Sequence, residues 1–129
     1  MTIYEKPGYV TITHHGDKNY VLFDWTNATI SFSDIKEAHL KAFEVDKEKG
    51  VKTLVADCSK MKYSFTTEIT DWFATEMMPR LSKEAGIQRI ITILDNSAIA
   101  KLNAKSWQKA NDIDLPNVSS MNEALDLVI

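Results

Sequence analysis

Two short, nearly continuous apolar runs, Leu54-Val55-Ala56 and Ile90-Ile91-Thr92-Ile93-Leu94, each lie between segments of helical periodicity. A strand that is apolar on both faces must be covered on both faces, as parallel strands between helical layers are. This alternation predicts crossover connections and an α/β fold. A chain of 129 residues suits one such domain with a single core, so one domain over 1–129 is expected.

The N-terminal part is β-rich. Residues 9–15 alternate Val10 and Ile12 with Thr11 and Thr13, and residues 20–25 are almost wholly apolar or aromatic. Between them Gly16, Asp17, Lys18 and Asn19 suit a hairpin loop. A first helix follows, with Asp34 as its expected cap and Glu37 completing a reciprocal box. Its apolar stripe is Ile35, Ala38, Ala42, Phe43 and Val45, and Gly50 stops it. The second helix starts after residues 64–67 and places Ile69, Trp72, Phe73, Met77 and Leu81 on one side as far as Gly86. Pro79 lies inside it and lacks a backbone donor, so a bend or break is expected near Met78.

Asn96 or Ser97 is the expected cap of a third helix that buries Ile99, Leu102, Trp107 and Ala110. A short strand near Val118 comes next. Ser120 and Glu123 then form a capping box for a last helix with the apolar face Met121, Ala124, Leu125, Val128 and Ile129. The expected fold is a mostly parallel sheet of about four or five strands, its N-terminal hairpin leaving the first strand antiparallel at an edge, with about four helices.

Several function classes are disfavoured. The net charge of -3, from 15 basic and 18 acidic side chains, gives no one-sided positive field, so no nucleic-acid partner is expected. The lone cysteine, Cys58, cannot form an internal disulfide, which fits a reducing, cytoplasmic setting. Glu5, Lys6, Pro7 and Gly8 interrupt any secretory core near Met1. No apolar run approaches the roughly 18 residues of a membrane span.

The candidate chemistry gathers where parallel strands would end. In open α/β sheets ligands bind outside the carboxyl ends of the strands, which is where Asp57, Cys58, Ser59 and Asp95 would lie. Two carboxylates there can divide acid and base roles if their surroundings separate them, whereas an aspartate after an apolar strand also serves simply as a turn residue. Cys58 would need a base and a lowered pKa to act as a nucleophile, and neighbouring Asp57 opposes thiolate formation. Ser64, Thr66 and Thr67 stand at a helix start, where a phosphate would meet free amides and where such residues also act as plain caps. Lys60 and Lys62 could draw an anion to that loop. Trp25, Trp72, Phe73 and Trp107 could line an apolar pocket or could be ordinary core. His14 and His15 are adjacent in a strand and point to opposite faces, so they make a poor ligand pair, and His39 falls near an apolar helix stripe. No metal-ligand spacing, Gly-rich phosphate loop or nucleophile elbow occurs, so neither metal nor cofactor is named.

The chain resembles STAS domains, and within them the SpoIIAA-like group of uncharacterised bacterial proteins. The resemblance rests on Trp25 at the end of the second strand, Val55-Ala56-Asp57, Trp72, Pro79 and Ala85-Gly86-Ile87. In signalling members of that family a serine in an Asp-Ser-Ser-Gly motif at the second helix accepts phosphate and controls binding to an anti-sigma partner. Here Phe65-Thr66-Thr67-Glu68 stands at that place, leaving Thr66 as the hydroxyl. Some relatives are likened to CRAL-TRIO lipid-binding domains, which implies an apolar ligand.

The leading expectation is a noncatalytic STAS-like binding or regulatory domain that engages a protein partner or small ligand along residues 57–67 and 95–97. The alternative, prompted by three tryptophans and five methionines, is a carrier of an apolar small molecule or lipid. A hydrolase using Asp57 and Asp95 is the third reading. Self-association through an exposed aromatic or helix face also fits a domain of this size.

Overall fold

A computed structural model of the chain describes residues 1–26, 31–60, 67–95 and 108–129. The protein is α/β, and its sheet is mixed rather than mostly parallel. Strands β1 (Thr2–Lys6), β2 (Val10–His15) and β3 (Tyr20–Trp25) form an antiparallel meander. From β3 onward the direction is shared by β4 (Thr53–Asp57), β5 (Arg89–Ile93), β7 (Ile113–Leu115) and β8 (Asn117–Val118). Strand β6 (Gln108–Ala110) runs antiparallel to β7, and the order is β1-β2-β3-β4-β5-β7-β6 with β8 also on β5. Among the described residues the sheet has eight strands, against the four or five expected.

The added strands have local causes. Strand β1 pairs along the edge of β2, and its Glu5 is exposed while Ile3 and Tyr4 are half-buried. Strands β6 and β7 meet through Asn111 and Asp112, both at positive φ (52° and 62°), which is the requirement of a tight two-residue hairpin. Ala110 is thus a strand residue, not part of a helix. Pro116 separates β7 from β8 because it has no amide to donate, while its carbonyl accepts from the Thr92 amide at 3.0 Å.

Three helices are present among the described residues. Helix α1 (Phe32–Lys49) is capped by Ser31, not Asp34: the Asp34 amide donates to Ser31 Oγ at 3.2 Å and the Ser31 hydroxyl donates to Asp34 Oδ2 at 2.8 Å. The cap therefore sits three residues earlier than expected, with Asp34 rather than Glu37 as the acidic partner. At the far end Gly50 takes the left-handed conformation, φ 63°, as expected. Ile35, Ala38, Ala42 and Phe43 are buried, but Val45 is only half-buried and Asp46 takes the next buried place.

Helix α2 covers residues 67–85 and runs through Pro79. Its segments are Thr67–Trp72, a wide π turn Phe73–Met77, Met78–Arg80 and a second π turn Leu81–Ala85. Around Pro79 the helix widens: the Met78 amide donates five residues back to the Phe73 carbonyl. Met77 and Met78 are both buried in consequence, while Trp72 and Phe73 are half-buried. Helix α3 (Met121–Asp126) opens on the expected Ser120–Glu123 box, with the Glu123 amide donating to Ser120 Oγ at 3.2 Å. Its Ala124 is buried, Met121, Leu125 and Val128 are half-buried, and Ile129 is exposed. The cap and first part of the expected third helix, with Ile99, Leu102 and Trp107, lie outside the described residues.

Strand alternation sorts the core into two layers. Val21, Phe23, Trp25, Leu54 and Ile90 face α1 and α2, whereas Tyr20, Val55, Ile91, Ile93 and Val118 face α3. Burying each of these larger side chains contributes about 1.5–3 kcal/mol. Two-sided coverage is why β3, β4 and β5 read as nearly continuous apolar runs.

Candidate functional site

The parallel register aligns the ends of three strands. Asp24 pairs with Asp57 and Asp57 with Ile93, so Asp24 and Asp57 stand side by side on the α3 side of the sheet. The Cys58 amide donates to the Ile93 carbonyl at 2.9 Å, carrying the chain one residue further along β5. Beyond it the chain turns: Asp57 Oδ1 accepts from the Ser59 amide at 3.0 Å and from the Ser59 hydroxyl at 2.6 Å. This is the aspartate side chain closing its own loop. Lys60 Nζ lies 3.5 Å from Asp24 Oδ1, a half-exposed pair contributing about 0–1 kcal/mol.

On the other face Cys58 packs against the core, and burial, then the Asp57 charge, pushes its thiol up to about 12. At neutral pH it is a neutral thiol rather than a nucleophile. Asp95 is exposed two residues past the end of β5, on the same rim as Asp57. Thr67 is exposed at the start of α2. Ser64, Thr66 and Ser97 lie outside the described residues, as do Lys62 and Trp107.

Below the rim, on the α1 and α2 side, six rings converge. His39 of α1 sits at the centre, with ring centroids 5.0 Å from Phe23, 6.1 Å from Trp25, 6.0 Å from Trp72 and 5.1 Å from Phe73. Phe32 meets Trp72 edge-on at 5.9 Å. Lys36 Nζ closes the outside of this group, 4.2 Å from the Phe32 ring centroid and 5.8 Å from that of Trp72. Enclosure by apolar rings drives the His39 imidazole down to about 4, so it is neutral at physiological pH. Three of the four residues expected to line a pocket, Trp25, Trp72 and Phe73, are therefore brought together, with an imidazole between them.

The strand histidines behave as their alternation requires. His14 lies on the α1 side, with Nε2 2.8 Å from Asn19 Oδ1, and His15 stacks on Tyr20 at 4.7 Å on the opposite face. Among the described residues no group of three or more His, Cys, Asp or Glu is placed to hold a metal ion. Among the same residues no helix is long and apolar enough to cross a membrane.

The sequence reading passed over Asp24, Lys36 and Asp46, and it left His39 beside the buried stripe rather than at the centre of the rings. For His39 and Asp46 a signal existed, because positions 35, 38, 39, 42, 43 and 46 follow one helical stripe. Extending that stripe through polar residues would have placed both inside. No family model, no curated protein and no solved structure matches the chain.

Proposed function

We propose that the chain is a noncatalytic STAS-like binding or regulatory domain that engages a protein partner along the carboxyl rim of β3, β4 and β5. One observation carries the reading: Asp57 is hydrogen-bonded to Ser59 and Asp24 lies in an ion pair with Lys60, so the two carboxylates side by side at the rim are each turned to a local partner. Groups held this way present a fixed polar surface rather than a set converging on one reacting atom. The neutral Cys58 thiol and the turn-forming Asp57 carboxylate argue in the same direction. The carrier reading is weakened by His39, which stands among the rings of Trp25, Trp72 and Phe73 where an apolar ligand would have to enter.

Native mass spectrometry of the freshly purified chain, paired with affinity capture, tests this. A ligand-free mass together with capture of a partner that is lost on Lys60→Glu and Asp95→Lys supports the rim. A co-purifying lipid or metabolite would favour the carrier instead. Partner capture that survives both charge reversals removes the rim assignment.

A further inference from the structure

The end of α1 is held mainly through its backbone. The Gly50 amide donates to the Asp46 carbonyl, and the Val51 amide donates to the same oxygen at 3.0 Å. From the β2–β3 turn, Asn19 Nδ2 donates to the Lys49 carbonyl at 3.1 Å and the Gly50 carbonyl at 3.3 Å. Carbonyls left over at the helix terminus are thereby satisfied.

The Asp46 side chain receives nothing comparable. It is 0% exposed, and among the described residues neither carboxyl oxygen has a hydrogen-bond partner. Ala42 and Phe43, one turn back on the same stripe, belong to the apolar core, as do Val51 just beyond and Leu81 of the α2 turn packed on α1. The charges of the surrounding elements look elsewhere. Lys47 and Lys49 are exposed and pair with Glu44 and Glu48. Lys52 is exposed, as are Arg80, Lys83 and Glu84 of α2, and in β1 Glu5 is exposed while Lys6 pairs with Asp34 at the opposite end of α1. His14 is engaged by Asn19.

A carboxylate at this position would lose its hydration, find no donor and face the negative end of the α1 dipole. The acid form escapes the charge terms. We propose that the last turns of α1 form a proton-operated latch, seated on the core while Asp46 carries its proton and released when the carboxyl ionises. Burial pushes the Asp46 carboxyl up to about 7, so release is favoured progressively as the pH rises from about 4 to about 7. Undocking would uncover Ala42, Phe43 and the Leu81 side of the core, and through Asn19 would loosen the β2–β3 turn. This inference stands apart from the binding reading of the rim.

Between about pH 4 and about pH 7 the seated state holds one proton more than the released state, so over that range the opening equilibrium grows about tenfold per pH unit, and it levels off above about pH 7, where both states are ionised. Amide hydrogen exchange on the full chain between about pH 4.5 and about pH 8.5, corrected for intrinsic rates, reads this directly. Expected is a loss of protection at residues 46–51 of about tenfold per pH unit as the pH rises from about 4.5 to about 7, levelling off above that, absent from β4 and β5 and abolished in Asp46→Asn. A slope of the same sign that survives in that variant would belong to another group and would overturn the latch. A flat wild-type profile would do the same. Should the variant fail to fold, carbon-13 NMR of the wild-type carboxyl decides: titration near 7 supports the latch, and titration near 4 refutes it.

Discussion

Helix α1 carries two titratable side chains, half-buried His39 and fully buried Asp46, whose proton affinities are displaced in opposite directions. Burial moves His39 from 6.5 down to about 4 and Asp46 from 3.8 up to about 7. In the window between about pH 4 and pH 6.5 the unfolded chain binds a proton at His39 that the folded protein refuses, so this contribution to stability grows as pH rises. Over the same window the folded protein keeps a proton on Asp46 that the unfolded chain has released, so that contribution shrinks as pH rises. Each amounts to one proton, about 1.4 kcal/mol per pH unit, and the two slopes oppose. Wild-type stability is therefore expected to be nearly flat from about pH 4.5 to about pH 6.5.

Asp46→Asn removes one side of the balance. The remaining His39 slope should then cost on the order of 3 kcal/mol as the pH is lowered from about 6.5 to about 4.5. His39→Phe, with a ring of similar size among the same aromatic neighbours, should show the reverse, losing a similar amount as the pH is raised through that window. Such a change is a large share of the roughly 5–15 kcal/mol available to a domain of this size. Asp34, held below the ordinary carboxylate range first by Lys6 and then by Ser31, titrates below the window and does not contribute. Urea unfolding at several pH values, followed by tryptophan fluorescence, measures each profile. An Asp46→Asn variant with the flat wild-type profile would refute the reasoning, since one proton's slope would be missing.

Other consequences follow from single contacts. Ser31→Ala removes the cap of α1 and should cost about 1 kcal/mol in urea unfolding, with Ser31→Thr recovering most of it. Thr53 is fully buried, with Oγ1 accepting from the Ile129 amide at 3.1 Å and donating to the Ile129 carbonyl at 3.3 Å. Thr53→Val should cost about 1–2 kcal/mol and speed exchange of the Ile129 amide, whereas Thr53→Ser should not. Because the Cys58 thiol is raised from 9.0 to about 12, its alkylation at pH 8 should be roughly a thousandfold slower in the folded protein than in urea. Equal rates would mean that Cys58 is open to solvent.

Much of the fold could be read from local pattern. The β2–β3 hairpin follows from alternation around residues 16–19, β4 and β5 from their apolar runs, and the start of α3 from Ser120 and Glu123. Edge strands were harder, because Thr2–Lys6 is a strand by virtue of its pairing with β2 and its own residues include exposed Glu5 and turn-like Pro7 and Gly8 beyond it. Asn111-Asp112 was a legible hairpin signal that a helical reading of Ala110 concealed. Ser31 and Asp34 both cap helices well, and only the path of the chain into α1 selects Ser31. At the rim, the sequence pointed to Asp57 and Ser59, while their pairing, and that of Asp24 with Lys60, depends on how β3 and β4 align.

By itself the sequence determined which segments extend, which coil and which face of each is apolar, since those properties follow from periods of two and 3.6 residues and from side chains acting on their own backbone. Tertiary structure alone decided the charge states of His39 and Asp46, and it supplied the larger part of the shift at Cys58, to which the neighbouring Asp57 charge adds. Desolvation is not a property of a residue or its neighbours in sequence; it is set by which other elements cover it, here the rings of β3 and α2 over His39 and the apolar seat of α1 around Asp46.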